Sequence, residues 1–487
     1  MHGSSLFRVE TGLGAIVGRS LNGVRQFRGV PYATAPVGSG RFEPPSAMRS
    51  WSGTLEANSD GPIAPQTPSR VYAAMGSIDA PQSEDCLTLT IWAPAEATAP
   101  CPVIVWFHGG GFMSGAGSLP WYDGEELARL SGAVVVNVNY RLGALGFLCV
   151  PGQVPGNLAV LDQEQALLWV RDHIAAFGGD PSRVTVMGQS GGGHNIAMLL
   201  TVPRTQGLFS RAILLSPPLG IGLHSPEEAM KSASVFLDAL GINGRAVSDA
   251  LKKVPLEQIL QAQGKTAMAV SNMARGDLRP PFMPVHDGAF AIEEENLIEA
   301  AARAAAERGV EVLIGWTRDE ANLFYGLEPA IAGLDAAGFD AAAERLAPGK
   351  ADILAEAVRA ARPEGSNGQL FMDLVRDITF RLPILDFADR LSREGGTAFV
   401  YRFDWASPEK RLGACHCIDL PFVFGTHENW KSAPILAGAD PEECSALSDT
   451  MMRMVGDFAR AGNPGIPRWD SNRRVTHIGV TSREAAA

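Results

Sequence analysis

Val184-Thr185-Val186-Met187-Gly188-Gln189-Ser190-Gly191-Gly192 runs from an apolar, strand-like stretch into G-x-S-x-G, a pattern found nowhere else in the 487 residues. A helix-compatible run, Asn195-Ile196-Ala197-Met198-Leu199-Leu200, follows. A serine caught between strand and helix sits on a sharp turn. Small neighbours let the backbone pack closely there, the hydroxyl points away from the sheet, and the helix N-terminus lies beneath it. The pattern alone is weak. Its place after a strand and before a helix makes Ser190 a candidate nucleophile.

Working outward, similar apolar runs rich in Val and Ile occur at Thr88–Trp92, Val103–Phe107, Ala133–Val138, Ala212–Leu215, Val310–Gly315 and Ala398–Phe403. Each is bounded by Gly, Pro or polar residues, as buried strands are. Helical periodicity separates many of them. In Leu158 to Phe177, the spacing places Leu161, Leu168 and Ile174 on one buried face; Gly178 and Gly179 stop the helix, and Asp180-Pro181 turns the chain into the next strand. This alternation predicts an α/β fold: a mostly parallel central sheet with helices on both faces. Two stretches break it, at about 225–305 (with Pro-rich interruptions such as Arg279-Pro280-Pro281) and about 328–394. Both read as helical elaborations that form the pocket of one catalytic domain, 1–487.

Composition narrows the function. A formal net charge of −12 repels phosphate backbones and anionic lipid heads, so neither nucleic acid nor membrane is an expected partner. No apolar run approaches the ~18 residues that span a bilayer, and the opening Met1-His2-Gly3-Ser4-Ser5 does not read as a signal peptide. Six cysteines without a C-x-x-C suit reduced thiols in a cytoplasmic protein, a monomer or small homo-oligomer. Cys415-His416-Cys417 supplies too few ligands for a metal site, and no cofactor is expected.

Acyl transfer at Ser190 also needs donors for an oxyanion, a base and an acid. His108-Gly109-Gly110-Gly111-Phe112 follows the strand Val103–Phe107, and its successive N–H groups can converge on one oxygen. The base and acid come later in the order Ser, Asp/Glu, His. Of the C-terminal histidines His416, His427 and His477, His416 is favoured, because its loop follows Ala398–Phe403 at the sheet edge where the nucleophile emerges. The acid is Asp319 or Glu320, both just beyond Val310–Gly315. Phe112, Phe282 and Phe324 are candidate pocket-lining residues.

The chain resembles the type-B carboxylesterase family, which includes cholinesterases and bacterial p-nitrobenzyl esterases. The likeness runs from Phe27-Arg28-Gly29-Val30-Pro31-Tyr32-Ala33 to Phe458-Ala459-Arg460-Ala461-Gly462-Asn463-Pro464, with Glu84-Asp85-Cys86-Leu87 and Asn139-Tyr140-Arg141-Leu142-Gly143 among its specific stretches. It implies the α/β-hydrolase fold and a serine carboxylesterase that works through an acyl-enzyme. By the family pattern Ser190 is the nucleophile, His416 the base, Glu320 the acid, and Gly110, Gly111 and Gly191 the oxyanion donors. The elbow, Leu215-Ser216-Pro217-Pro218 and His416-Cys417-Ile418 look, more narrowly, like bacterial phenylcarbamate (phenmedipham) hydrolases, which implies a carbamate or anilide hydrolase as the alternative. A remote alternative is an inactive cholinesterase-like binding module, which would usually have lost one of these residues. The chain departs from the family pattern at Gln189, where glutamate is usual, at Gly191, where alanine is usual, and at Ala64, where the disulfide partner of Cys86 would stand. The neutral Gln189 is expected to tune the base: His416 should stay neutral to lower pH than beside a glutamate. Neutral small-molecule esters or carbamates should suit the pocket better than choline-like cations.

Overall fold

The computed structural model describes residues 5–244, 246–286 and 296–479. Among them lie twelve strands of one sheet: β1 (Ser5–Thr11), β2 (Gly14–Leu21), β3 (Val24–Pro31), β4 (Thr54–Glu56), β5 (Thr88–Pro94), β6 (Cys101–Phe107), β7 (Val134–Val138), β8 (Gly179–Gln189), β9 (Arg211–Leu215), β10 (Glu311–Thr317), β11 (Ala398–Phe403) and β12 (Thr476–Ile478). The order across the sheet is β1-β2-β3-β5-β7-β6-β8-β9-β10-β11-β12, with β4 beside β2. From β7 to β12 every pairing is parallel; from β1 to β7 the main path is antiparallel.

Successive side chains of a strand face opposite ways, and here both faces are buried. Val103, Val105 and Phe107 of β6 join the core under helices Leu158–His173, Gly191–Thr201, Leu297–Glu307 and Leu382–Arg393. Ile104 and Trp106 face the opposite core, under Glu125–Ser131 and Pro441–Ala461. That two-sided burial is why the strands read as unbroken apolar runs.

The runs expected as strands are all strands. Strands β1–β4 and β12 were not expected: they are short or interrupted by polar, partly exposed residues. Three details correct the sequence reading. Leu161 and Leu168 are only half-buried, while Leu158, Asp162, Ala166 and Trp169 face the core, with Asp162 neutralised by Arg141 at 2.7 Å. Asp180 and Pro181 lie inside β8, because the chain enters extended backbone directly at Gly179. Helices Leu297–Glu307 and Leu382–Arg393, placed by sequence in the elaborations, pack on the sheet. Of the remaining helices of those stretches, those from Pro226–Leu240 to Leu256–Val270 reach the same core through Phe236, Leu251 and Ile259, whereas those from Pro329–Ala332 to Asn367–Arg376 form a separate cluster around Phe339 and Phe371. No helix among the described residues is long and apolar enough to cross a membrane.

Candidate active site

Four loops leave the C-terminal ends of neighbouring parallel strands β6, β8, β10 and β11, the edge where such sheets gather their chemistry. The loop after β8 is the tightest. Ser190 has φ +54° and ψ −123°, a sparsely populated conformation for a residue with a side chain. Two backbone bonds hold it: Ser190 N–H donates to the Leu215 carbonyl and His194 N–H to the Ser190 carbonyl, both at 2.9 Å. The helix Gly191–Thr201 starts at once and crosses β6 so closely that a Cβ on Gly192 would lie 2.0 Å from the Phe107 carbonyl oxygen. Here the glycine is a packing requirement.

The loop after β6 brings Gly110 and Gly111 opposite the serine. Gly110 has φ +118°, and a Cβ there would meet the Ser114 carbonyl at 1.9 Å. His108 anchors the loop from below: its ring stacks on Tyr140 at 4.3 Å, and the Tyr140 hydroxyl donates to its carbonyl at 2.5 Å. Burial lowers the His108 imidazole to about 4, so it serves as a neutral wedge. Among the described residues, the N–H groups of Gly110, Gly111 and Gly191 donate to no protein acceptor. They are available to an oxyanion.

The loops after β10 and β11 supply the carboxylate and imidazole. Glu320 is fully buried; one of its oxygens accepts the Thr317 N–H at 2.8 Å and the other accepts His416 Nδ1–H at 2.5 Å. A carboxylate only accepts, so the neutral ring carries its proton on Nδ1 and leaves Nε2 as the acceptor. Asp319, equally near in sequence, turns elsewhere: its carboxylate accepts the Ala414 N–H at 2.9 Å and ties the two loops together. The rings of Phe324 and Phe380 flank His416 at 5.4 and 5.1 Å. Burial pushes the imidazole down, but Cys417 and Glu320 push harder the other way, and His416 stands well above the ordinary histidine value. Asp419, buried behind the pair, is raised to about 7 by burial and by the Glu320 charge.

Gln189 meets His416 directly. Its amide Nε2 lies 3.0 Å from His416 Nε2 and 3.2 Å from Cys417 Sγ. Among the described residues Ser190 Oγ has no hydrogen bond, so the amide holds the acceptor that a serine proton would use.

Ser190, Gln189, His416, Gly110, Gly111 and Gly191 all border one cavity of about 260 Å³. Phe112 and Phe324 line it; Phe282 does not, because its ring packs edge-on against Phe236 at 5.5 Å in the core. Sequence reasoning missed the wall made by Ser69–Met75 and by Phe380. Nothing local marks those residues, which come from segments far from the elbow along the chain. The six cysteines are all buried, and among the described residues no three His, Cys, Asp or Glu side chains gather as metal ligands.

A mostly parallel sheet, a nucleophile elbow at the end of a strand and a carboxylate–imidazole pair beside it define an α/β-hydrolase. Within that class the chain belongs to the carboxylesterase family, whose model matches residues 5–482. It is 39% identical to a probable N-octanoylanthranilate hydrolase of Rhodococcus erythropolis, over 95% of both chains. It is 35% identical to the phenmedipham hydrolase of Pseudarthrobacter oxydans, over 95% of this chain and 92% of that one. A solved thermophilic p-nitrobenzyl esterase superposes with a TM-score of 0.84 at 35% identity, covering 97% of this chain and 95% of its own. The protein is a carboxylic ester hydrolase.

Proposed function

We propose that Ser190, His416 and Glu320 are the catalytic triad of one cytoplasmic catalytic unit that hydrolyses small carboxylic esters, with Gly110, Gly111 and Gly191 as oxyanion donors. The observation that carries this is the 2.5 Å bond from His416 Nδ1 to buried Glu320, which leaves Nε2 as the acceptor on a ring that borders the same cavity as Ser190. In the reaction Ser190 Oγ displaces the Gln189 amide from Nε2, gives its proton to the imidazole and attacks the ester carbonyl. The charge that develops on the carbonyl oxygen goes to the three free N–H groups, each worth roughly 10²–10³ in rate. His416 then protonates the departing alcohol, and a water activated by the same imidazole hydrolyses the acyl-enzyme. No step calls for a cofactor.

A carbamate or anilide would use the same groups, and the similarity to hydrolases named for phenmedipham and N-octanoylanthranilate favours it as the second reading. A fluorophosphonate probe should label the protein once, at Ser190. p-Nitrophenyl esters of rising acyl length, set beside an aryl carbamate, then rank the substrates. Labelling at another residue, or turnover of none of these compounds, refutes the assignment.

A further inference from the structure

Granted that Ser190 lies at the floor of a hydrolytic cavity, we propose that Arg70 at its mouth selects substrates bearing a carboxylate remote from the scissile bond.

The cavity is mainly apolar, with walls that include Val71, Met75, Leu323 and Phe324. Among the described residues that line it, Arg70 is the only Lys or Arg. It stands just before the short helix Tyr72–Met75, is exposed, and lies within electrostatic reach of the Tyr325 hydroxyl. That hydroxyl is already committed to the Met273 carbonyl at 2.7 Å. Among the described residues the Arg70 guanidinium has no hydrogen bond and no ion pair. Arg279, on a neighbouring segment, shows the contrast: Glu228 takes it at 2.8 Å and Asp277 at 2.9 Å.

A guanidinium is matched in geometry to a carboxylate, which it binds through two parallel N–H bonds. The protein carries a net charge of −12, so its overall field disfavours anions. A local cation at the entrance is what an anionic substrate needs to be retained. Glu328, the one acidic residue of the lining, is exposed and also without an ion pair among the described residues. It opposes an anion at the same mouth, which makes the two residues a pair of levers with opposite signs.

The test uses matched substrates. Mono-p-nitrophenyl suberate and its methyl ester place a charged or neutral group at the acyl end; 4-acetoxybenzoate and its methyl ester place it on the alcohol side. For each pair the quantity read is the ratio of kcat/KM, anionic over neutral. Arg70→Gln should lower that ratio in at least one pair by about fivefold, the scale of an exposed charge pair. Arg70→Lys should retain part of it, Glu328→Gln should raise it, and high salt should shrink the wild-type ratio. Ratios unchanged by Arg70→Gln in both pairs, or moved the same way by both Gln variants, overturn the proposal. The esterase reading is tested separately, by whether wild type, and not Ser190→Ala, turns over the neutral partners.

Discussion

Two histidine–carboxylate pairs lie on neighbouring parts of the sheet. His416 Nδ1 meets Glu320 at 2.5 Å, and His477 Nδ1 meets Asp404 at 2.7 Å. Both carboxylates are buried, yet the imidazole side chains are 3% and 44% exposed. Asp404 also receives Arg402 at 2.6 Å, so much of its charge is spent before the histidine arrives. Among the described residues the Glu320 carboxylate has only a backbone N–H and His416. His477 rides on the edge strand β12, whereas His416 is held between Phe324 and Phe380 beside the elbow. A short bond to a carboxylate is therefore not what makes a catalytic base. What sets His416 apart is that its ring is sheltered from water and borders the same cavity as Ser190.

The comparison breaks most visibly at the nucleophile itself. Ser190→Ala should cost about 10⁴-fold or more in kcat with the fold intact, since no second hydroxyl sits in the elbow. Circular dichroism verifies the fold, and retained turnover would reject the site. Next comes the contrast between the two histidines: His416→Ala should lose roughly 10³-fold or more in kcat, while His477→Ala stays within about twofold of wild type, as a surface change should. Equal losses would mean that the exposed pair matters too.

The carboxylates sharpen the contrast through pH. Because His416 is raised above its ordinary value, kcat/KM should fall as pH drops through that raised pKa and the base becomes protonated. Glu320→Gln removes a charge that raises it, so the acidic limb should move to lower pH, with kcat down about 10²–10⁴-fold from lost orientation. Asp404→Asn should leave the limb where it is. The smallest effect is expected at Gln189. Gln189→Glu sets an anion against His416 Nε2 and should shift the acidic limb upward by about one unit. A limb that stays put would show that the glutamine tunes nothing.

Much of this was legible in the residues because burial on both faces leaves an unmistakable mark. β5 to β11 are apolar runs, and the elbow and the Gly-rich loop each follow one of them directly. Strands β1–β4 and β12 left no such mark, since polar and partly buried residues interrupt them. Phe282 was misplaced because an aromatic in a Pro-rich loop reads the same whether it faces a pocket or, as here, Phe236.

By itself, then, the sequence determined the sheet class, the strand-to-helix turn that carries Ser190 and the glycines that must surround it, for those depend on local spacing and on the absence of a Cβ. Local spacing could not choose between Asp319 and Glu320, and the tertiary structure assigns one to Ala414 and the other to His416. Only the tertiary structure showed that the Gln189 amide reaches His416 Nε2, or that Ser69–Met75 closes the cavity with Arg70 at its rim. Those relations join residues that lie hundreds of positions apart along the chain in several cases, and their distances are set by how strands stack across the sheet, a quantity no stretch of sequence contains.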